Sequence, residues 1–432
     1  MKKDDIKKEE DEEEVEEIEE VEEEEDQIGE DFAKDTRAWT LWADAGKIAD
    51  SVLDHVISKV KVDAKLYDLC VEGDNHARGL LKTVFNKKKY TKGLAFPTSV
   101  SVNNICGNYA PTCDDLDENH VTLKQGDVVK IDLGVHINGF AAVVAHTVVC
   151  GEDKVTGIKA DVILAAYNAL HAGLRLLTAK KNTNDDVTKA FKTVTDSYQI
   201  NGVEGVLSHK MRRDIVDGFE TIICTKSNEH QVDIRDFDHG DVYGLDVIVS
   251  TGEGSPKESP LKCTVYKRAL ETTYKLKIDS SRKLLSVVEH NFYNFPFSMN
   301  SFDNEENIKT TKPIDNLKKV SKMGLAECVA HDLFYPLPVL QEKKEDIVAH
   351  FKYTVAVRNE GPYILAGKLL DVSKFSSKFE IEDESIKSLL AQNIDNFLPN
   401  SKKLVKVEKK KDNKAKKALK KANKEKREAE GN

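Results

Sequence analysis

No run of about 18 apolar residues occurs anywhere in this chain of 432, and its opening stretch is crowded with carboxylates, the reverse of a secretory signal. Neither a membrane-spanning helix nor an exported protein is expected, which points to an intracellular one. Seven cysteines, at 70, 106, 113, 150, 224, 263 and 328, are odd in number and form no CxxC pair. A disulfide framework and a thiolate zinc site are therefore not suggested, and reduced, mostly buried thiols are expected. Aromatic residues make up only 7%, and none falls in the last 31 positions, so that segment has no platform on which bases could stack. No internal repeat at a solenoid period is present.

Charge is abundant but concentrated at the ends. Residues 1 to 31 hold 19 Asp and Glu against 4 Lys, and residues 402 to 432 hold 14 Lys and Arg against 5 Asp and Glu, so of the formal −10 only −4 is left for the 370 residues between. The acidic block reads as a solvated disordered tail, with a site for a basic partner or self-masking of the basic tail left open. The body is nearly neutral and long for a single core, which limits growth near roughly 250 to 300 residues, so one large domain with an insertion, or two domains, is expected.

Periodicity fills in the body. Leu41, Ala45, Ile48, Val52, Val56 and Val60 predict an amphipathic helix over 38–60, and a second is expected over 63–84. It ends at a lysine loop of Lys87, Lys88, Lys89 and Lys92, either a solvated turn or a phosphate contact. Residues 127–149 predict a hairpin turning at Asn138-Gly139. Helices follow over 159–178 and 184–199, the latter capped by Asn184 or Asp185. A strand around 241–250 carries one acid, Asp246. Residues 268–340 read as helix-rich, and 347–357 returns to strand alternation. The order predicts an α+β protein with this boundary set: an acidic tail 1–33, a first body segment 34–267, an inserted helical subdomain 268–340, a last body segment 341–398 and a lysine-rich tail 399–432.

Three polar residues stand in apolar surroundings: Asp132 in the hairpin, His209 in Leu207-Ser-His-Lys, and Asp246. Burying a carboxylate without a partner costs several kcal/mol, so each needs a counter-charge, hydrogen bonds or a metal. Spacing alone leaves a salt-bridged core acid and a divalent ion both open.

Four segments, Ala95-Phe-Pro-Thr-Ser-Val-Ser-Val-Asn-Asn, Lys130-Ile-Asp-Leu-Gly-Val-His-Ile-Asn-Gly, Leu207-Ser-His and Ser250-Thr-Gly-Glu-Gly, resemble the successive signatures of type 2 methionine aminopeptidases, in the same order. The resemblance covers roughly 36–395 and implies the pita-bread fold with an inserted helical subdomain. In active members two metals are held by two Asp, two Glu and one His, with a further His on the substrate side. Asp132 and His209 fall on ligand positions, and Asp246 falls where a Glu is expected. The second aspartate corresponds to Val143, which has no donor atom, although hairpin pairing of 134 with 143 turns it to the same side as 132. The bridging glutamate corresponds to Lys352, and the substrate-side histidine to Asn108. An ammonium in place of a bridging carboxylate turns attraction for dications into repulsion. No metal, no cofactor and no peptidase turnover are expected, and Lys352 is expected to pair with Asp132 or Asp246.

This pattern of loss, with Gly205-Val-Leu-Ser-His, Ser250-Thr-Gly-Glu-Gly and the basic C-terminal tail, is similar to the proliferation-associated protein family, the non-peptidase relatives known for ErbB-receptor binding and ribosome association. Val143 and the long acidic block are departures from that family. The resemblance implies binding to the large ribosomal subunit, its RNA and proteins near the nascent-chain exit, and to structured RNA. Signalling protein partners are a further expectation, as is a monomer in the cytoplasm, with nucleus and nucleolus beside it. The candidate contacts are Lys87, Lys88, Lys89, Lys92, Lys210, Arg212, Arg213, Lys267, Arg268, Lys318, Lys319 and Lys322 in the body, and Lys409, Lys410, Lys411, Lys416, Lys417, Lys420 and Lys421 in the tail. For the tail, nuclear import is an equal alternative to phosphate contact. Two rivals stand beside this reading: an aminopeptidase with a reduced metal site on Asp132, His209 and Asp246, and a signalling adaptor that binds proteins only.

Overall fold

The computed structural model describes residues 35–114, 122–310 and 313–398; the two charged tails lie outside them. Helix α1 (Thr36–Lys59) starts where the Asp35 side chain accepts the Arg37 backbone N–H at 2.8 Å, and it buries the stripe Leu41, Ala45, Ile48, Val52 and Val56. Helix α2 (Leu66–Leu81) packs beside it and stops before the lysine loop. Strand β1 (Lys92–Val102) then runs antiparallel to β2 (Val128–Ile137), with register shifts between Leu94 and Ser99. Pro97 lies within that irregular stretch, where its missing N–H costs the ladder least. Strands β2 and β3 (Phe140–Val149) form the predicted hairpin. Its turn places Asn138 at φ 52° and Gly139 at φ 83°, the left-handed pair that a tight two-residue turn demands.

Helices α3 (Ile158–Leu176) and α4 (Asn184–Ser197) follow as expected, but the cap of α4 is Thr183. Its hydroxyl accepts the Asp186 N–H, and the Asp186 carboxylate accepts the Thr183 N–H, a reciprocal box that satisfies two otherwise unpaired donors. Strands β4 (Leu207–Met211), β5 (Thr221–Ile223) and β6 (Val242–Ser250) come next. Helices α5 (Asp279–Phe292) and α6 (Leu317–Ala330) pack against each other around their own apolar cluster of Leu284, Val288, Phe292, Phe302 and Cys328. That block is less helical than its sequence suggests. Phe297–Ser298 and Phe334–Leu337 pair with Val265–Arg268 in a small antiparallel sheet whose strands are too short to show alternation. Strands β7 (Val348–Ala356) and β8 (Tyr363–Ala366) complete the body.

The large sheet runs β1-β2-β3-β7-β6-β4-β5, with β8 on β7 and Asn201–Gly202 on β6. Odd-numbered residues of β2 (Val129, Ile131, Leu133) join the cluster under α1 and α2, and odd-numbered residues of β7 (Phe351, Tyr353, Val355) join the one under α3 and α4. Side chains alternate along a strand, so the even-numbered residues of both strands turn away from these helices. That second face carries the candidate site. All seven cysteines are free, five of them buried, and among the described residues no helix is long and apolar enough to cross a membrane.

Candidate functional site

Across four adjacent strands the ladder sets Asp132 of β2 opposite Ala145 of β3, Ala145 opposite Lys352 of β7, and Lys352 opposite Asp246 of β6. Residues in one row share a face. The Lys352 Nζ lies 2.8 Å from Asp132 Oδ2 and 3.0 Å from Asp246 Oδ2, so one ammonium bridges both carboxylates. The row on one side sets Lys130 opposite Thr147, and His350 opposite Ile248. From it the His350 Nε2–H donates to Asp246 Oδ1 at 2.7 Å, while the Thr147 hydroxyl, bonded to the His350 backbone, ties β3 to β7. Sequence reading missed His350. Its signal was position, two residues before Lys352 on the same face of one strand.

The cluster is out of water: His350, Asp132 and Asp246 are all buried, and the Lys352 side chain is 15% exposed. Burial pushes the Asp246 carboxyl up, but the Lys352 and His350 charges and hydrogen bonds outweigh it and leave it lowered to about 2. Burial likewise pulls the Lys352 ammonium down, and the charges of Asp132 and Asp246 overcome that and hold it above its ordinary value. The ammonium also stands 5.7 Å from the centroid of the Phe96 ring. At these separations a charge left without its partner costs roughly 3–5 kcal/mol.

On the other side, Gly134, Val143, Thr354 and Gly244 form a second row that ends at His209 on β4. A Cβ on Gly134 would come within 2.8 Å of a Val143 methyl, and one on Gly244 within 3.1 Å, so Val143 fills the space that both glycines leave. Its backbone N–H and C=O are both taken by the Thr354 hydroxyl. His209 makes no hydrogen bond or ion pair with Asp132, Asp246 or Lys352. Its Nδ1–H donates to Gly218 O at 2.9 Å, a bond that fixes the tautomer and leaves the lone pair on Nε2, an arrangement common to metal-binding imidazoles. Asn108, held at φ 63°, donates its amide to Pro338 O at 3.2 Å and fastens one segment to another.

A two-metal centre of the aminopeptidase kind would need carboxylates converging on dications. Here the ammonium stands among them, Val143 offers no donor, and among the described residues no group of three or more His, Cys, Asp or Glu gathers into a metal-sized cluster. The donor set does not fit such a centre.

The expected RNA contacts divide sharply. Lys87, Lys88, Lys89 and Lys319 are exposed. Lys92 turns inward to Val84 O at 2.7 Å, Lys210 pairs with Glu220 and Asp241, and Arg212 pairs with Glu220. Arg213 donates to Asn138 O, Lys267 pairs with Asp217, and Arg268 with Glu289. Lys318 and Lys322 both reach Asp114. Six of these twelve body cations are therefore already answered by carboxylates at close range, a pairing that sequence proximity could not reveal because the partners come from other segments. Lys409 to Lys421 lie outside the described residues.

Residues 41–232 match the model of metallopeptidase family M24. Together with the sheet and its helix-covered face, this sets the class: a pita-bread protein of the methionine aminopeptidase type. The chain is 39% identical over 351 residues to proliferation-associated protein A of Dictyostelium discoideum, covering 80% of this chain and 86% of that one. It is 39% identical over 351 residues to the curved DNA-binding protein of Schizosaccharomyces pombe, covering 80% and 87%. The solved structure of a thermophilic Arx1 is similar with a TM-score of 0.72 at 28% identity, over 82% of this chain and 97% of that one. The chain belongs to the proliferation-associated protein family.

Proposed function

We propose that this chain is a catalytically silent, methionine-aminopeptidase-like protein that binds the ribosome and structured RNA, on the large subunit near the nascent-chain exit, and acts through that in ribosome biogenesis, translation and growth regulation. The observation that carries the silent half is the Lys352 ammonium seated between Asp132 and Asp246, where a peptidase needs a carboxylate. Support for the polyanion half is electrostatic. The segment 402–432 holds 14 cations without an aromatic residue, which suits phosphate contact that does not depend on sequence, and one relative is named for binding curved DNA. The loop Lys87, Lys88 and Lys89 is the body's strongest candidate to join it, since all three side chains are exposed side by side at one turn.

The test is co-sedimentation with ribosomes over a salt series, for the whole chain, for a chain ending at 398, and for a triple charge reversal of Lys87, Lys88 and Lys89. Binding that weakens steeply with salt and drops in both variants supports the proposal. Binding lost at modest salt and indifferent to these lysines favours the protein-only adaptor. The silent half is tested separately, by metal content of protein purified without chelator and by hydrolysis of a Met-Ala-Ser peptide after adding cobalt or manganese; metal at stoichiometry with turnover would restore the peptidase reading.

A further inference from the structure

Away from the sheet row, a cleft of about 320 Å³ opens between the end of α2, the start of β1 and the C-terminal end of α5. Arg78, Lys82, Lys92 and Lys309 all line it, and Glu306 is the one carboxylate among the lining residues. None of these five makes an ion pair within the described residues, unlike the body's other lysine clusters. Lys92 is held in place by Val84 O at 2.7 Å and Asn86 Oδ1 at 3.2 Å, and Arg78 by Ser301 Oγ at 3.1 Å. Burial, and after it the neighbouring Lys309 charge, push the Lys92 ammonium below its ordinary value. One wall is Tyr293, which caps α5 at φ 54° and ψ −113°. That conformation is unfavourable for a residue with a side chain, and such positions collect at ligand sites.

We propose that this cleft binds a small organic phosphate, its phosphate held among Lys92, Lys309, Lys82 and Arg78 and its organic part against Tyr293. Four cations from three segments, Arg78 and Lys82 at the end of α2, Lys92 at the start of β1 and Lys309, can surround one terminal phosphate, whereas an RNA duplex presents its phosphates along a convex surface and does not enter a cavity of this size. The volume lies within the range of small-molecule sites, about 300–1,000 Å³. The proposal draws on neither the Asp132–Lys352–Asp246 row nor Lys87, Lys88 and Lys89, so its failure leaves the proposed function untouched.

The test is calorimetric titration of the full chain with adenosine 5′-monophosphate and with inorganic pyrophosphate, using adenosine as the uncharged control. Saturable binding of one equivalent of the monophosphate is expected, with none for adenosine. Affinity should fall about tenfold or more in Lys309→Glu and stay within about twofold in Lys309→Arg, since a charge-assisted contact is what changes. Unchanged melting temperatures of both variants would keep the comparison about the cleft alone. Absence of binding by either anion at millimolar concentration overturns the proposal, as does equal binding to the wild type and Lys309→Glu. A 5′-phosphorylated RNA that binds in a Lys309-dependent way where the free monophosphate does not also overturns it.

Discussion

Lys352 and Asp132 are separated by an entire strand, yet their side chains meet at 2.8 Å because the residue between them is Ala145. Two strand spacings of about 4.8 Å are more than a carboxylate can cross, but a lysine stem laid over a methyl group can do it. The same lysine reaches Asp246 on its other flank, directly opposite in the ladder. Where a two-metal centre needs acids on several strands to converge on metal, one long side chain holds the row together here.

Replacing that chain by an uncharged one of similar length isolates the charge. Lys352→Met leaves Asp132 and Asp246 buried without a counter-ion, and a loss of roughly 3–5 kcal/mol is expected from urea unfolding at neutral pH. Lys352→Met combined with Asp132→Asn and Asp246→Asn should recover most of it, because no buried charge is then left. Equal stability of Lys352→Met and wild type would mean that the bridge carries no weight.

The acid limb of stability tests Asp246. Its carboxyl is lowered from 3.8 to about 2 in the folded chain, with burial opposing and Lys352 and His350 prevailing. A depressed acid contributes stability fully present above the unfolded value and lost as pH falls from about 4 towards 2, here on the order of 2 kcal/mol. Unfolding free energy measured across that window should fall more steeply in the wild type than in Asp246→Asn. Parallel curves would contradict the pairing.

How far the sequence reached is clear from these residues. The hairpin at Asn138-Gly139 and the helical stripes were legible because local rules, a left-handed turn and a 3.6-residue period, act within a few positions. Asp132, Asp246 and Lys352 could be singled out as anomalies in apolar strands. That they form one row, with His350 rather than His209 on Asp246, depends on strand order β2-β3-β7-β6, and β7 lies some hundred residues beyond β6. The same limit hid the carboxylate partners of Lys210, Lys267 and Lys318, and the cleft that gathers Arg78, Lys92 and Lys309 from distant segments.

Asp50 offers a test of opposite sign. Burial, with the charge of Asp54 adding to it, raises its carboxyl to about 7, against the Gly367 N–H that it accepts at 2.8 Å and the nearby Lys368. A raised acid favours the fold below its unfolded value of 3.8 and withdraws that support as pH climbs through about 7. Asp50→Asn keeps the acceptor oxygen and removes the titration. It should be more stable than the wild type at pH 8, by about 1 kcal/mol or more, and gain little at pH 4. Thermal melts at the two pH values decide it, and a gain that is equal at both would place the effect outside ionisation.

Whether Val143 and Lys352 are what keeps a metal centre from assembling on this face can be asked by replacing both. In the V143D/K352E double variant the ammonium is removed, and new carboxylates face the same side of the sheet as Asp132 and Asp246. The aspartate takes the volume that Val143 now fills between Gly134 and Gly244. His209 needs no change, since its Nδ1 bond to Gly218 O already leaves Nε2 as the ligating atom. Crowded carboxylates without a cation repel, so the double variant should be markedly less stable than the wild type in chelator and should regain stability when manganese or cobalt is added, with metal retained through gel filtration. The single variant V143D should retain none, because Lys352 still neutralises the row. A double variant that stays unstable and metal-free would show that these two positions are not what bars metal, and would point to the short reach of Asp246 or to Asn108 against Pro338 instead.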